Sequence, residues 1–322
     1  MNTHFRGAAL LLIAALVPLS ATAQDFFGIN FSDVTLRAFA SVATQLEPLK
    51  TATDTGSAPR ADPNDVGVLL RARGIPFPNL PNSVGSAFAS SAGNNDGVFG
   101  VGVNGFFFTG SLPPDALLAS VTFSQTITNN STNAVTLFAG VTIPAPTLQL
   151  FGVGDFFPAG VDPRRDVTAS VNASFLTRIT HPDGTVVNGQ PLDYGIFLFR
   201  EPLSGVLLGI DADGALLPRF QQPDGSFGFQ LPNFHEDNLA LGEIAPGDSI
   251  ELTLDYVASA STGFGETGIF AAIGDPFHLS AASSSLNIHV GAAAAIPEPS
   301  TWTLLVAGLL AVSFAARARV RR

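Results

Sequence analysis

The sequence has no cysteine, one tryptophan and two tyrosines. Without cysteine the chain has no disulfide, no zinc site with thiolate ligands and no thiol nucleophile. Stability must therefore come from the burial of apolar side chains, and 27 phenylalanines are available for that purpose. Aromatic platforms for stacking against sugar rings are scarce, because Tyr194 and Tyr256 are the only tyrosines and the single tryptophan lies near the C-terminus.

Basic residues are also scarce, with 15 Lys and Arg against 26 Asp and Glu. The imbalance is strongest in the middle of the chain, where residues 24–296 contain 10 basic and 25 acidic residues, a net charge of −15. A surface of this charge repels nucleic acid and anionic lipid head groups. We therefore predict no nucleic-acid partner.

Residues 1–23 have the three parts of a secretory signal peptide. Arg6 provides the basic start, residues 8–19 form an apolar run, and Ala21 and Ala23 form the small-x-small pattern that signal peptidase recognises. Cleavage after Ala23 would leave Gln24 as the first residue of the exported protein. The alternative, an uncleaved membrane anchor, is disfavoured because the apolar run is short for a membrane span.

The C-terminal segment has the features of a membrane-spanning helix. Residues 301–316 carry no charge and would extend about 24 Å as a helix, slightly less than a bilayer core. Trp302 lies at one end of this run, where an indole favours the membrane interface. The other end is flanked by Arg317, Arg319, Arg321 and Arg322. By the positive-inside rule these arginines are cytoplasmic, so we expect an inner-membrane precursor of type I topology with its domain outside.

Pro297, Glu298 and Pro299 directly precede this apolar run, and the arginine cluster ends the chain. This order resembles the PEP-CTERM sorting signal of Gram-negative bacteria over residues 297–322. The resemblance implies cleavage near the tripeptide by an exosortase-type membrane protease, and it implies a link to exopolysaccharide and extracellular matrix. Two prolines would also keep the cleavage region extended and outside the helix. A permanent single-pass anchor is the alternative.

Alternation of apolar and polar residues dominates the segment 24–290. Residues 121–127, 167–175 and 250–256 each show it, as expected for strands with one buried and one solvated face. We predict one all-β domain, an antiparallel β-sandwich of jelly-roll or immunoglobulin-like type, flanked by the signal helix and the C-terminal transmembrane helix. A division into two domains near residue 110 is the alternative. The runs 194–199 and 205–210 are more continuously apolar and are predicted to be central strands.

Other parts of this domain look less regular. Residues 48–95 are rich in Pro, Ser, Asn and Asp and are predicted to form a long irregular insertion. Any helix is expected within residues 34–47. The small residues 291–296 are predicted to be a linker to the tail. Turns are predicted at residues 95–97, 182–184 and 223–225, and a hairpin turn at 129–133.

Two short motifs carry candidate chemistry. Asp211 and Asp213, followed by Gly214, resemble the start of a calcium loop, but the later ligands of an EF-hand are missing. A tight acidic turn is the alternative. His235, Glu236 and Asp237 place a base beside acids, although neighbouring residues of a strand point to opposite faces, and a polar turn is the alternative.

Catalytic motifs are weak elsewhere. The sequence contains neither HExxH nor GxSxG, and only Glu201, Glu243 and Glu266 stand out as mid-chain carboxylates for a glycosidase-like site. We therefore expect a non-enzymatic protein of the cell surface or extracellular matrix, used in adhesion or polysaccharide contact and needing no cofactor. The alternatives are a secreted hydrolase with an acidic site and a calcium-stabilised structural module.

Overall fold

The computed structural model describes residues 28–43, 49–60, 62, 64–77, 80–95, 97–109, 115–151, 167–200, 207–223, 226–262, 265–274 and 284–291. These residues form antiparallel β-strands and contain no helix. The strands are β1 (Ile29–Phe31), β2 (Val34–Ala43), β3 (Lys50–Ala58), β4 (Asp65–Phe77), β5 (Leu80–Asn94), β6 (Phe99–Thr109), β7 (Asp115–Asn129), β8 (Val135–Ile143), β9 (Thr147–Phe151), β10 (Val167–Thr180), β11 (Val186–Arg200), β12 (Leu207–Asp211), β13 (Phe220–Gln221), β14 (Phe227–Gln230), β15 (Phe234–Ile244), β16 (Ser249–Thr262), β17 (Gly265–Gly274) and β18 (Ser285–Val290).

The strands are arranged in three sheets. Sheet A has the order β12-β11-β10-β16-β7-β2-β3, with β1 paired to the end of β7. Sheet B has the order β13-β14-β9-β17-β6-β5-β4, and sheet C has the order β15-β8-β18. In sheet A, β16 pairs with β10 over the whole length of both strands and with β7 over all of β7 except Asn129. These three strands are the ones whose alternation is clearest in the sequence, and that prediction is confirmed.

Sheets A and B pack face to face. The ring of Phe99 on β6 makes edge-on contacts with Phe123 of β7 and Tyr256 of β16, at centroid distances of 6.2 and 5.5 Å. Nearer the edge, a Cβ added to Gly209 of β12 would lie 2.4 Å from Cγ of Phe229 on β14, so this ring packs directly on the glycine. The buried faces of the two sheets therefore share one apolar core, in a sandwich-like arrangement.

Sheet C covers the part of sheet A that lies towards the end of β7. A Cβ added to Gly242 of β15 would lie 3.0 Å from Cδ1 of Ile179 and 3.9 Å from Cδ1 of Ile250, both in sheet A. The hydroxyl of Tyr194 on β11 donates a hydrogen bond to the carbonyl of Pro232, just before β15. One layer is thus sheet A, and the facing layer consists of sheets B and C.

The predicted irregular insertion at 48–95 is wrong, since this stretch forms β3, β4 and β5. Its small residues fit a sheet interior where bulky side chains would not. Ala87 and Ala89 of β5 are buried, and so is Ser91, whose hydroxyl donates to the carbonyl of Phe39 in the facing layer at 3.0 Å. The composition is that of a loop, but the hydrogen-bonding of the small polar side chains is satisfied within the sandwich.

The prediction that any helix lies within residues 34–47 is wrong for residues 34–43, which form strand β2. Its buried residues are Val34, Leu36, Ala38, Ala40 and Val42, which is a strict period of two. Alanine favours helix as an isolated residue, but pairing with β3 and β7 on both sides decides the structure here.

Two of the apolar runs take different places in sheet A. β11, which contains residues 194–199, lies between β10 and β12 as an internal strand, as predicted. β12 is the last strand of the sheet path, so the prediction of a central strand at 205–210 is wrong. The face of β12 that points to the other layer is covered by Phe229 of sheet B, which packs on Gly209.

The turn at 182–184 joins β10 to β11 as predicted. Gly184 has a φ of 85°, which favours glycine, and the amide of His181 donates to the carbonyl of Thr185 at 2.9 Å. The amide of Thr185 donates to Oδ1 of Asp183 at 2.8 Å. Hydrogen bonds from Thr185 hold the pKa of the Asp183 carboxyl below its ordinary value.

The predicted hairpin at 129–133 is wrong, because β7 and β8 belong to different sheets and do not pair. The turn carries the chain from sheet A to sheet C.

Among the residues described, no helix reaches the length and hydrophobicity required to cross a membrane, and the predicted helix 301–316 lies outside them.

Candidate functional site

The predicted calcium motif lies in a turn after β12. The amide of Ala215 donates to Oδ1 of Asp211 at 2.7 Å, and the amide of Gly214 donates to the Asp211 carbonyl at 3.0 Å. Asp213 is exposed in the same turn. Within the described residues no group of three or more His, Asp or Glu side chains is placed to hold a metal ion. Calcium binding by Asp211 and Asp213 stays a prediction.

The motif His235, Glu236 and Asp237 lies in β15, where a β-bulge changes the alternation of side chains. The pairing of β15 with β8 shifts between Glu236 and Leu239, so that two residues, Asp237 and Asn238, lie opposite the single residue Gly140. Nε2 of His235 lies 3.2 Å from Oδ1 of Asp237, so these two side chains do meet. His235 and Asp237 are two positions apart and therefore lie on the same face of the strand, whereas Glu236 between them pairs with Val141, whose side chain is buried.

His235 also contacts the central strand of sheet C. Its Nδ1 lies 2.9 Å from the hydroxyl of Thr142 on β8. The buried residues of β8 are Leu137, Ala139, Val141 and Ile143. Thr142 and the other alternate residues, Thr136, Phe138 and Gly140, therefore belong to the side of sheet C that faces away from sheet A.

Strand β18 completes this outer side. His289 is paired with Phe138 across the two strands, and their rings stack at a centroid distance of 6.0 Å and an angle of 20°. Nε2 of His289 lies 3.3 Å from Oδ1 of Asn238 in the bulge. The imidazole thus reaches across the central strand to β15. We refer to Phe138, Gly140, Thr142, His235, Asp237, Asn238, Asn287 and His289 as the sheet C face.

Gly140 lies at the centre of the sheet C face. Its neighbour on β18 is Asn287, and the bulge residues Asp237 and Asn238 lie opposite it on β15. A Cβ added to Gly140 would have its nearest contacts at 3.6 Å, to the carbonyl oxygen of Asp237, and at 3.8 Å, to Cβ and the carbonyl oxygen of Asn287. The glycine therefore leaves a depression between polar side chains on both sides.

The sheet C face carries one carboxylate, that of Asp237, and no basic residue other than its two histidines. Strands β8, β15 and β18 contain Glu236, Asp237 and Glu243 but no Lys or Arg. His235 and Asp237 are well exposed, with 63% and 78% of their side chains accessible, so solvent screens their mutual attraction. The face offers amide, carboxylate, imidazole and hydroxyl groups to solvent.

A second polar cluster lies inside the protein, at the turn after β7. Asn129 is fully buried, and its side-chain nitrogen donates to the carbonyls of Asn133 and Ile244 at 2.8 and 2.9 Å. Its side-chain oxygen accepts from the amide and the hydroxyl of Ser131 at 2.9 and 2.6 Å.

Asp248 belongs to the same cluster. Its carbonyl accepts from the amide of Asn129, and its buried carboxylate accepts from the amide of Ala245 at 2.8 Å. The other carboxylate oxygen lies 2.9 Å from Nδ1 of His181. We call Asn129, Ser131, His181 and Asp248 the Asn129 corner. Each buried polar group of Asn129 and Asp248 has a partner, which is typical of a structural network.

The remaining predicted site residues are not brought together. Glu243 is exposed on β15, the backbone of Glu266 lies in β17, and Glu201 lies outside the described residues. The signal-peptidase residues Ala21 and Ala23 also lie outside them, as do the tripeptide Pro297, Glu298 and Pro299 and the flanking residues Trp302, Arg317, Arg319, Arg321 and Arg322.

Several residues of the sheet C face are not identified as site residues by the sequence analysis. Asn287 and His289 alternate with the buried Leu286 and Ile288, which marks them as outward residues of a strand. Nothing in the sequence shows that β18 pairs with β8, which is more than 140 positions away in the chain. Phe138 and Gly140 are therefore found only from the topology.

Comparisons with known proteins add no family. No family model matches the chain, and no curated protein matches it significantly. Among solved structures, the comparison gives the VP2 subviral particle of infectious bursal disease virus, with 7% sequence identity and a TM-score of 0.08. The match covers 80% of this chain and 68% of the viral one.

Proposed function

We propose that this chain is an exported surface or matrix protein, delivered by its signal peptide and C-terminal tail, that acts by binding rather than by catalysis. The proposed route is cleavage after Ala23, membrane anchoring through residues 301–316 with Arg317 to Arg322 in the cytoplasm, and then cleavage near Pro297 by an exosortase-type protease. The released domain would contact polysaccharide or take part in adhesion.

The observation that carries this proposal is where the domain's two ends lie. The carbonyl of Gly28 accepts a hydrogen bond from the amide of Asn130, and a Cβ at Gly28 would touch Ser131. The amide of Gly291 donates to the carbonyl of Thr136 at 2.9 Å. The segment 130–136 therefore holds both ends, at one end of the domain. A domain with this geometry can be tethered there and leave its other surfaces free.

For the fold we propose a β-sandwich of the jelly-roll or immunoglobulin-like type. Support comes from the way the chain changes layers. It passes from sheet A through sheet C to sheet B over β7, β8 and β9, and returns from sheet B through sheet C to sheet A over β14, β15 and β16. Repeated crossing between two antiparallel layers is typical of Greek-key sandwiches.

Mass spectrometry of the protein purified from its native host tests the proposed route. We expect a mature N-terminus at Gln24 and a C-terminus near Glu298. Retention of Arg322 in the mature surface protein would support a permanent anchor instead, and an N-terminus at Met1 would contradict export by signal-peptide cleavage.

A secreted hydrolase is the second candidate, and one observation favours it. Thr142, His235 and Asp237 form a chain of hydroxyl, imidazole and carboxylate with contacts of 2.9 and 3.2 Å. Such an order can activate a hydroxyl nucleophile. If the protein hydrolyses p-nitrophenyl acetate and Thr142→Val abolishes the activity, the binding function is wrong. Equal rates for the wild type and Thr142→Val would rule this chain of residues out as a catalytic site.

A calcium-stabilised module is the third candidate. The carboxylate of Asp211 already accepts a hydrogen bond from the amide of Ala215 in its own turn, so the turn is stabilised without a metal ion. We expect a chelator to leave the melting temperature unchanged, whereas a clear decrease would support calcium binding at Asp211 and Asp213.

A further inference from the structure

We propose that the depression over Gly140 on the sheet C face is a binding site for a neutral sugar. This inference rests on the proposed binding function and adds the place, the class of ligand and the residues that contact it.

The shape of the site comes from one missing side chain in a row of larger ones. On β8 the outward residues before and after Gly140 are Phe138 and Thr142, which carry side chains where Gly140 has none. The ring of Phe138 lies against His289 and over Gly291, on the side away from Gly140. Neighbouring strands lie about 4.8 Å apart and residues along a strand rise about 3.3 Å. The backbones of β18 and β15 are therefore roughly 10 Å apart around Gly140, and the contact of His289 with Asn238 crosses this span at the Phe138 end. The space that remains suits a single pyranose ring.

The polar groups around the depression are partly without partners. Within the described part of the chain, the side chain of Asn287 makes no hydrogen bond and the side-chain nitrogen of Asn238 has no partner. Asn238 is held in place through its oxygen by His289, and Asp237 through one oxygen by His235. Two amides and a carboxylate on opposite sides of a glycine can both donate to and accept from vicinal hydroxyls.

One end of the depression is aromatic. The stacked rings of Phe138 and His289 are both half-buried and lie next to Asn287 and Asn238. An apolar ring surface beside planar amides matches a sugar ring, which has C–H groups on its faces and hydroxyls around its edge.

Charge decides which sugars fit. Asp237 lies on the bulge beside the depression, the three strands of sheet C carry no basic residue, and the Arg60 guanidinium at the edge of β18 donates to the carbonyl of Leu286 at 2.6 Å. A polymer of uronic acids would meet like charges at the bulge, which is unfavourable without a compensating cation. Neutral hexose chains carry no such penalty, and we therefore assign the depression to them.

The test measures binding of the full-length chain, expressed with its own signal and tail, to cellohexaose, maltohexaose and hexagalacturonate by isothermal titration. We expect a neutral hexamer to bind and hexagalacturonate to bind more weakly. The variant Gly140→Val should lower the affinity for the neutral hexamer by about tenfold, equivalent to about 1.4 kcal/mol. The added Cβ has room, since its nearest contact would be 3.6 Å, and valine suits a strand, so we expect the variant to keep the fold and the melting temperature of the wild type.

Asn287→Ala provides an independent variant that removes a hydrogen-bonding group without filling the depression. Its affinity should fall about threefold to tenfold, as expected for one lost hydrogen bond. The matched control is Thr53→Val, an exposed residue on β3 in the other layer, which should bind as the wild type does.

Two results would overturn the site. One is a Gly140→Val protein that binds a neutral hexamer as tightly as the wild type, and the other is a wild type that binds neither neutral hexamer. Failure of sugar binding together with mature ends at Gln24 and near Glu298 would reject the site and leave the export route intact. Sugar binding by a host protein that retains Met1 would support the site and reject the route.

Discussion

The Asn129 corner and the sheet C face are built from the same kinds of side chain, yet they differ in how fully those side chains are partnered. In the corner, Asn129 and Asp248 are buried and each of their side-chain polar groups has a protein partner. On the face, Asp237 is 78% exposed and Asn287 has no side-chain partner among the described residues. A polar group that is buried and satisfied stabilises a fold, whereas one that is fixed in position but unsatisfied is available to a ligand.

The largest effect is expected at the centre of the corner. Asn129→Ala removes a side chain that makes four hydrogen bonds and leaves the carbonyl of Ile244 buried without this donor. We expect the free energy of unfolding to fall by about 3 kcal/mol, measured by urea denaturation. Asn287→Ala on the face is the matched control and should change it by less than about 0.5 kcal/mol. Equal losses for the two variants would erase the distinction between the regions.

A smaller loss is expected for Asp248→Ala. The variant removes the acceptor of the Ala245 amide and leaves Nδ1 of His181 without its partner. We expect a loss of about 2 kcal/mol in the same measurement. Asp248→Asn keeps the shape and one acceptor oxygen, so it should lose less, and a greater loss for asparagine than for alanine would show that this hydrogen-bonding is misassigned.

Alkaline pH tests the contact that joins sheet C to the layer beneath it. Burial raises the pKa of Tyr194 to about 12 and also raises that of Tyr256, from an ordinary value of 10.0. Since the unfolded chain loses these protons first, stability is full below pH 10 and should fall as the pH rises from 10 to about 12. Tyr194→Phe should reduce this fall, as followed by thermal melting across the range. An unchanged slope would contradict the raised pKa of Tyr194.

The smallest effect is expected on the face itself. Asp237→Ala removes an exposed carboxylate whose interaction with His235 is screened by water. The free energy of unfolding should change by less than about 0.5 kcal/mol, while the affinity for a neutral hexamer falls. A loss comparable to that of Asp248→Ala would place Asp237 among the structural groups.

The strands with regular alternation could be predicted from the sequence, and those with small side chains could not. In β16, Leu252, Leu254 and Tyr256 alternate with polar residues, so a period of two is plain. In β5 the buried positions are filled by alanine and serine, which also occur in loops. Their burial follows from the facing sheet, and a local composition does not reveal that partner.

Only part of the site could be predicted from the sequence, because the rest depends on contacts between distant strands. The sequence indicates His235 and Asp237 as candidate chemistry, but the bulge that brings Asn238 opposite Gly140 depends on the pairing of β15 with β8. His289 and Gly140 join them through contacts between distant strands. The turn at 129–133 also looked like a simple hairpin, because its asparagines favour turns, while the change of sheet depends on tertiary packing.

Hydrogen exchange of the full-length chain, with and without a bound neutral hexamer, tests the contrast between the two regions most directly. We predict that the sugar slows exchange at backbone amides in β8, β15 and β18 and leaves those of residues 129–134 and 245–248 unchanged. Slower exchange around the Asn129 corner with none on sheet C would contradict the assignment of the sheet C face as the binding surface.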